Sequence, residues 1–235
     1  EYSLTGQQEG VELYAAVRAF GPAGGISTES TAFILPPRNV GALDEPVIIP
    51  AGEDHTWSGS VDVYGPVIIN GSLTILNGTT VIIHGDAGRE DGKYIYFEVN
   101  GTLAIQGGTA ETGPPSVRIT DSGSIPGAWQ WKGIILLDGE AAITGCVIAD
   151  AERGLTAATG STAEIKNSCF ENNLTGLHAI GGFLSVRKTD FKCNFRYGIK
   201  EDRDSGGAVN RPDVTQCTFS GKGYDYYHIE LRDIT

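Results

Sequence analysis

Short apolar runs punctuate this chain and return in phase about every 22 residues, without the three-and-four spacing of an amphipathic helix. Gly133-Ile134, Gly154-Leu155, Gly176-Leu177 and Gly198-Ile199 form one column, stepping by 21, 22 and 22 residues. Ile143, Ile165, Val186 and Val214 form a second; Ile148, Phe170, Phe191 and Phe219 form a third, always five residues later. Both step by 22, 21 and 28, so the last repeat carries a longer loop within 200–213. A looser version lies upstream, where INGSLTILNGT (69–79) and VNGTLAIQGGT (99–109) match at Asn-Gly, Leu73/Leu103, Ile75/Ile105 and Gly78/Gly108. Their offset of 30 residues leaves room for the charged loop GDAGREDGK (85–93), and short apolar runs at 47–49, 61–63 and 67–69 complete the series.

A repeat of this length, built from short strands, predicts the coil of a β-solenoid. Coils stack at about 4.8 Å, so equivalent side chains fall into columns. The inner columns are apolar because one coil cannot bury its own inner face. The L-x-x-L-x-L pattern of a leucine-rich repeat is missing, and a propeller blade needs about 40 residues or more. The expected domain is a stack of about eight coils over residues 43–235.

Composition agrees with an all-β chain. Its 33 glycines and frequent Asn-Gly, Asp-Gly and Gly-Gly pairs supply turns, and Val, Ile and Thr supply strands. A net charge of -12 leaves no basic surplus to neutralise a phosphate backbone, which excludes nucleic acid as a partner. No apolar run approaches the roughly 20 residues that span a bilayer, so the chain is not expected to be membrane-spanning. It contains no methionine and its first residues read as mid-domain sequence, as expected of a piece of something longer.

GLTAATGSTAEIKNSCFENNLTGL (154–177) resembles the right-handed parallel β-helix repeat of the pectin lyase-like superfamily. SIPGAWQWKGI (124–134) is similar to a Pro-Gly-x-Trp segment of secreted microbial β-helix proteins. The resemblance covers about 45–233 and implies a right-handed parallel β-helix that is secreted or held at the cell surface. It leaves activity open, since that superfamily includes lyases, hydrolases, adhesins and spacers. LTGQQEGVELYAAVRAFGPAGGISTES (4–30) resembles the last strands of a fibronectin type III domain, with Leu13, Ala15, Val17 and Ala19 alternating. Leu13 stands where that family has its corner tyrosine, and Gln7 where it has a leucine. Residues 1–38 are too few to bury a sandwich core. They are expected to cap the open end of the solenoid, or else to be the remainder of a longer sandwich, with LPPRN (35–39) as hinge.

The resemblance directs attention to carboxylates and cations on adjacent coils. Pectin-degrading hydrolases of the superfamily use clustered aspartates with Gly-His-Gly and Arg-x-Lys motifs, and neither occurs here. Asp150, Glu171 and Asp190 fall in different columns, and His178 stands alone. The nearest catalytic set is Lys166, Arg187, Glu164 and Asp190, where a lysine or arginine would act as base. Glycosidase carboxyls stand about 5–9.5 Å apart, which Glu164 and Asp190 reach only across a sharp bend. Glu171 beside Lys192 reads as a cross-strand ion pair.

Asp202 and Asp204, in the insertion 200–213, resemble the start of a calcium loop; a solvated acidic loop is the alternative, and no other cofactor is expected. Trp129, Trp131, Tyr224 and Tyr226 are candidates for stacking on sugars, against the alternative that these rings pack under loops or cover an end. Asn70, Asn77, Asn100 and Asn173 head glycosylation sequons. Three of them are Asn-Gly turns, and Asn173 is expected to join Asn194 in an internal column. Cys146, Cys169, Cys193 and Cys217 read as small buried thiols, with a Cys169–Cys193 disulfide as the alternative.

The function expected from these features is a non-catalytic extracellular module, either a rigid spacer or a surface that contacts polysaccharide or cell-surface glycan. A polysaccharide lyase or hydrolase is one alternative. An assembly subunit, pairing with neighbouring chains through its coil ends or N-terminal segment, is another.

Overall fold

The computed structural model describes residues 38–41, 45–85, 95–108, 114–123, 129, 131–202, 210–221 and 227–231. The fibronectin-like residues 1–37, together with Asp204, Tyr224 and Tyr226, lie outside them. The described chain winds through three strands per coil, and each strand pairs in parallel with the strand three further along. Two eight-stranded sheets and one seven-stranded sheet result: the solenoid expected from the repeat is the right-handed parallel β-helix that the resemblance implied. Among the described residues, the first strand of the stack is Arg38–Val40, paired with Ser60–Val63.

The sequence columns are the structural columns. Ile134, Leu155, Leu177 and Ile199 are successive neighbours in the second sheet. Ile143, Ile165, Val186 and Val214 are neighbours in the third. Ile148, Phe170, Phe191 and Phe219 are neighbours in the first. All but Val214 and Phe219, in the last coil, are buried. Each buried Leu, Ile, Val or Phe side chain contributes about 1.5–3 kcal/mol relative to exposure. The three phenylalanines also stack, with centroids 5.6 and 4.8 Å apart and planes within 14° and 9° of parallel.

Two corners hold the chain in left-handed backbone, and each repeats in register. Gly145, Asn167, Lys188 and Gln216 form one corner, with φ of 62°, 49°, 49° and 55°. Asp150, Asn172 and Cys193 form the other, at 60°, 57° and 53°. Backbone hydrogen bonds continue through both, for example Asn167 N to Arg187 O at 3.2 Å and Asn172 N to Lys192 O at 3.0 Å. Asparagine tolerates this conformation better than most residues with a Cβ. Its neighbour Asn173 turns inward and is fully buried. The Asn173 amide donates to Ile148 O and Asn194 Oδ1, both at 3.1 Å, and its Oδ1 accepts from Ala151 N at 2.9 Å. Asn194 continues the ladder by donating to Phe170 O at 3.0 Å.

All four cysteines are free thiols, so the Cys169–Cys193 disulfide does not form. Cys146 shares its inward column with Ser168, whose hydroxyl accepts the Cys146 N–H at 3.3 Å. Cys169 is also buried, and burial pushes its thiol up to about 11, leaving it protonated and unreactive at neutral pH.

Candidate functional site: a polar groove on the seven-stranded sheet

Residues on either side of the Ile143, Ile165, Val186 and Val214 column must point away from the core. In the third sheet they make two outward columns. Glu164, Ser185 and Asp213 lie in register in one; Lys166, Arg187 and Thr215 lie in register in the other. With Gln216 they line an open groove of about 550 Å³. Lys166 Nζ meets Glu164 Oε1 at 2.5 Å, and Arg187 Nε donates to Gln216 Oε1 at 3.4 Å. Phe183 begins the same strand, Phe183–Arg187, with its ring 43% exposed. One strand therefore presents an open aromatic ring, a hydroxyl and a guanidinium on a single face.

The groove joins a smaller hollow of about 230 Å³ at the Gly145/Gln216 corner. Lys166, Asn167, Arg187 and Lys188 line it, and Asn167 Oδ1 is buried away from solvent without a hydrogen-bond donor.

Three of the four residues expected to form a catalytic set, Glu164, Lys166 and Arg187, therefore meet. Asp190 does not join them. It belongs to the first sheet, where Lys192 pairs with it at 2.9 Å and the Thr218 hydroxyl donates to it at 2.5 Å. Burial alone would raise its carboxyl; these bonds outweigh burial and hold it below the usual carboxylate range. The expected Glu171–Lys192 pair is also replaced, since Glu171 bonds Arg118 at 3.0 Å.

Trp129 and Trp131 do not share a face. Trp129 precedes the strand Trp131–Leu136 and stands in left-handed backbone at φ 43°, so strand alternation does not relate the two rings; the bulge of that strand, between Trp131 and Gly133, lies beyond both. Trp131 is fully buried, donates to Ala149 O at 3.0 Å and packs edge-on against Phe97. A core ring of this kind offers no face to a sugar. Trp129 is half-buried, with its ring 5.2 Å from the exposed Phe195.

Asp202, expected as a calcium ligand, bonds His178 Nε2 at 2.8 Å and the Lys200 ammonium. Burial raises its carboxyl, but the hydrogen bonds from Lys200 and His178 outweigh that and lower it overall. His178 itself is buried; burial is the largest influence and lowers its affinity for a proton, against the pull of Asp202. Its Nδ1 has no partner. Among the described residues, no three His, Cys, Asp or Glu side chains converge as metal ligands. Asn173 is withdrawn as a glycosylation acceptor because its amide is buried in the ladder. Asn70, Asn77 and Asn100 are exposed, and the Asn100 amide donates to Asn70 Oδ1 at 3.0 Å.

Compared with known protein families, curated proteins and solved structures, the chain gives no significant match. Among the described residues, no helix is long and apolar enough to cross a membrane. Ser185, Asp213, Thr215, Gln216, Lys188 and Phe183 are the site residues that sequence reasoning missed. The signal was present: each stands at a fixed offset from an inward residue already assigned to a column.

Proposed function

We propose that this chain is a non-catalytic, extracellular β-helix module whose seven-stranded sheet contacts a glycan. One observation carries the reading: Ser185 and Arg187 line an open groove with Glu164, Lys166, Asp213, Thr215 and Gln216, and the exposed Phe183 stands on the same face of their strand. Sugars are bound by a flat apolar ring that stacks on C–H faces and by side chains that exchange hydrogen bonds with hydroxyls. The stacked coils fix both at regular intervals along the axis, so little side-chain ordering is needed on binding. The polar residues are open to solvent and Glu164 is already tied to Lys166, an arrangement that suits holding a chain more than cutting it.

A second reading, a polysaccharide hydrolase, has one observation in its favour. Glu164 and Asp213 flank Ser185 in the same column, two coils apart. At about 4.8 Å per coil this approaches the wide carboxyl spacing of inverting glycosidases. Affinity electrophoresis through gels containing defined polysaccharides, with a reducing-end assay of the same mixtures, separates the two. The module reading expects retarded migration, weakened in Phe183→Ala and Asp213→Asn, without new reducing ends. Retardation unchanged in both variants would overturn the groove assignment. Release of reducing ends that stops in Asp213→Asn would establish the hydrolase instead.

A further inference from the structure

At the corner beside the groove, three cations crowd into two successive coils. Lys166 and Arg187 are register neighbours, and Lys188 follows Arg187 in left-handed backbone, stacked on Asn167. All four line the 230 Å³ hollow. Like charges in register on adjacent strands repel. Glu164 relieves Lys166 at 2.5 Å, whereas among the described residues Arg187 meets the neutral Gln216 at 3.4 Å and no carboxylate. Among the described residues, Lys188 has no carboxylate partner. The flanking positions, Thr144 and Thr215 in one column and Gly145 and Gln216 in the other, are uncharged, so the basic block is confined to these two coils. A compact positive hollow of this kind, in a chain of net charge -12, attracts an oxyanion.

We propose that this corner binds the acid group, sulfate or carboxylate, of an anionic polysaccharide lying in the groove. The proposal rests on the glycan-contact reading and names the class of glycan. The Arg187 fork matches two oxyanion oxygens, and Lys188 adds a mobile point charge from the next position. Glu164 and Asp213, one column away, repel acid groups while accepting from hydroxyls, so the ligand's charges and hydroxyls are sorted to opposite sides. Attraction confined to a few exposed cations falls as salt rises.

Titration calorimetry of the full chain with alginate, dextran sulfate and neutral dextran tests this. The first two probes distinguish carboxylate from sulfate, and the third carries neither. Binding of at least one polyanion is expected, weakening with added salt and falling about tenfold or more in the Arg187→Gln/Lys188→Gln double variant. Circular dichroism and melting of that variant should match the parent, since both residues are exposed. Equal binding of neutral dextran, or full polyanion binding by the double variant, overturns the anion site and leaves the glycan-contact reading standing. Failure of all three probes to bind overturns both.

Discussion

At residue scale the adjacent asparagines 172 and 173 serve different ends. Asn172 adopts φ of 57° at a corner, and Asn173 spends every polar atom of its amide inside the coil. Asn173→Ala strips the partner from Ala151 N–H and shortens the ladder, and should cost about 2–4 kcal/mol of stability. Asn172→Gly should be neutral to slightly stabilising, because glycine adopts left-handed backbone without strain. Denaturant midpoints of the two variants check the contrast. The inward role of Asn173 was legible from its 21-residue spacing to Asn194. The His178–Asp202 pair was not, because it joins residues from different columns and depends on how two outward side chains lean. Burial lowers the proton affinity of His178, so its contribution to stability is complete above the unfolded value of about 6.5 and is lost as pH falls below it. Melting temperature followed from pH 7.5 to 5 should therefore drop more in the parent than in His178→Gln.

At the scale of the element, strand geometry decides which residues form a site. Alternation fixed the inner columns, and the same alternation assigns Ser185, Asp213 and Thr215 to the outside, within reach of sequence reading once Ile165, Val186 and Val214 are recognised as inward. Asp190 was misplaced for the opposite reason. It lies only three residues beyond Arg187, but the Lys188 corner comes between them and sends it to another sheet. The bulge at Trp131/Gly133 was equally hidden, since nothing in the sequence from Trp131 to Gly133 signals a shift of register. Gly133 makes the bulge tolerable: its φ is 100°, and a Cβ there would stand 1.6 Å from Arg153 O. Gly133→Ala should destabilise by more than about 3 kcal/mol. Gly52→Ala should cost only about 1–2 kcal/mol, because its φ is also positive but its Cβ would meet nothing within 4 Å. Paired thermal melts of these variants separate close backbone approach from conformational strain.

At the scale of the whole molecule, the repeat makes a rigid rod, and each coil depends on its neighbours for a buried face. The fold was legible because the same register recurs through the chain, so independent columns had to agree. The function was less legible because the groove is made by only three coils, and its residues differ from coil to coil where the core residues do not. The proposed glycan contact uses the rod's most regular property, a fixed spacing of outward side chains along one sheet. Hydrogen-exchange mass spectrometry of the chain with and without a bound polysaccharide tests that claim most directly. Slowed exchange is expected in peptides covering Thr162–Lys166, Phe183–Arg187 and Asp213–Thr215, with the polysaccharide recovered at its original length. Protection confined to the first or second sheet, or a shortened polysaccharide, would contradict it.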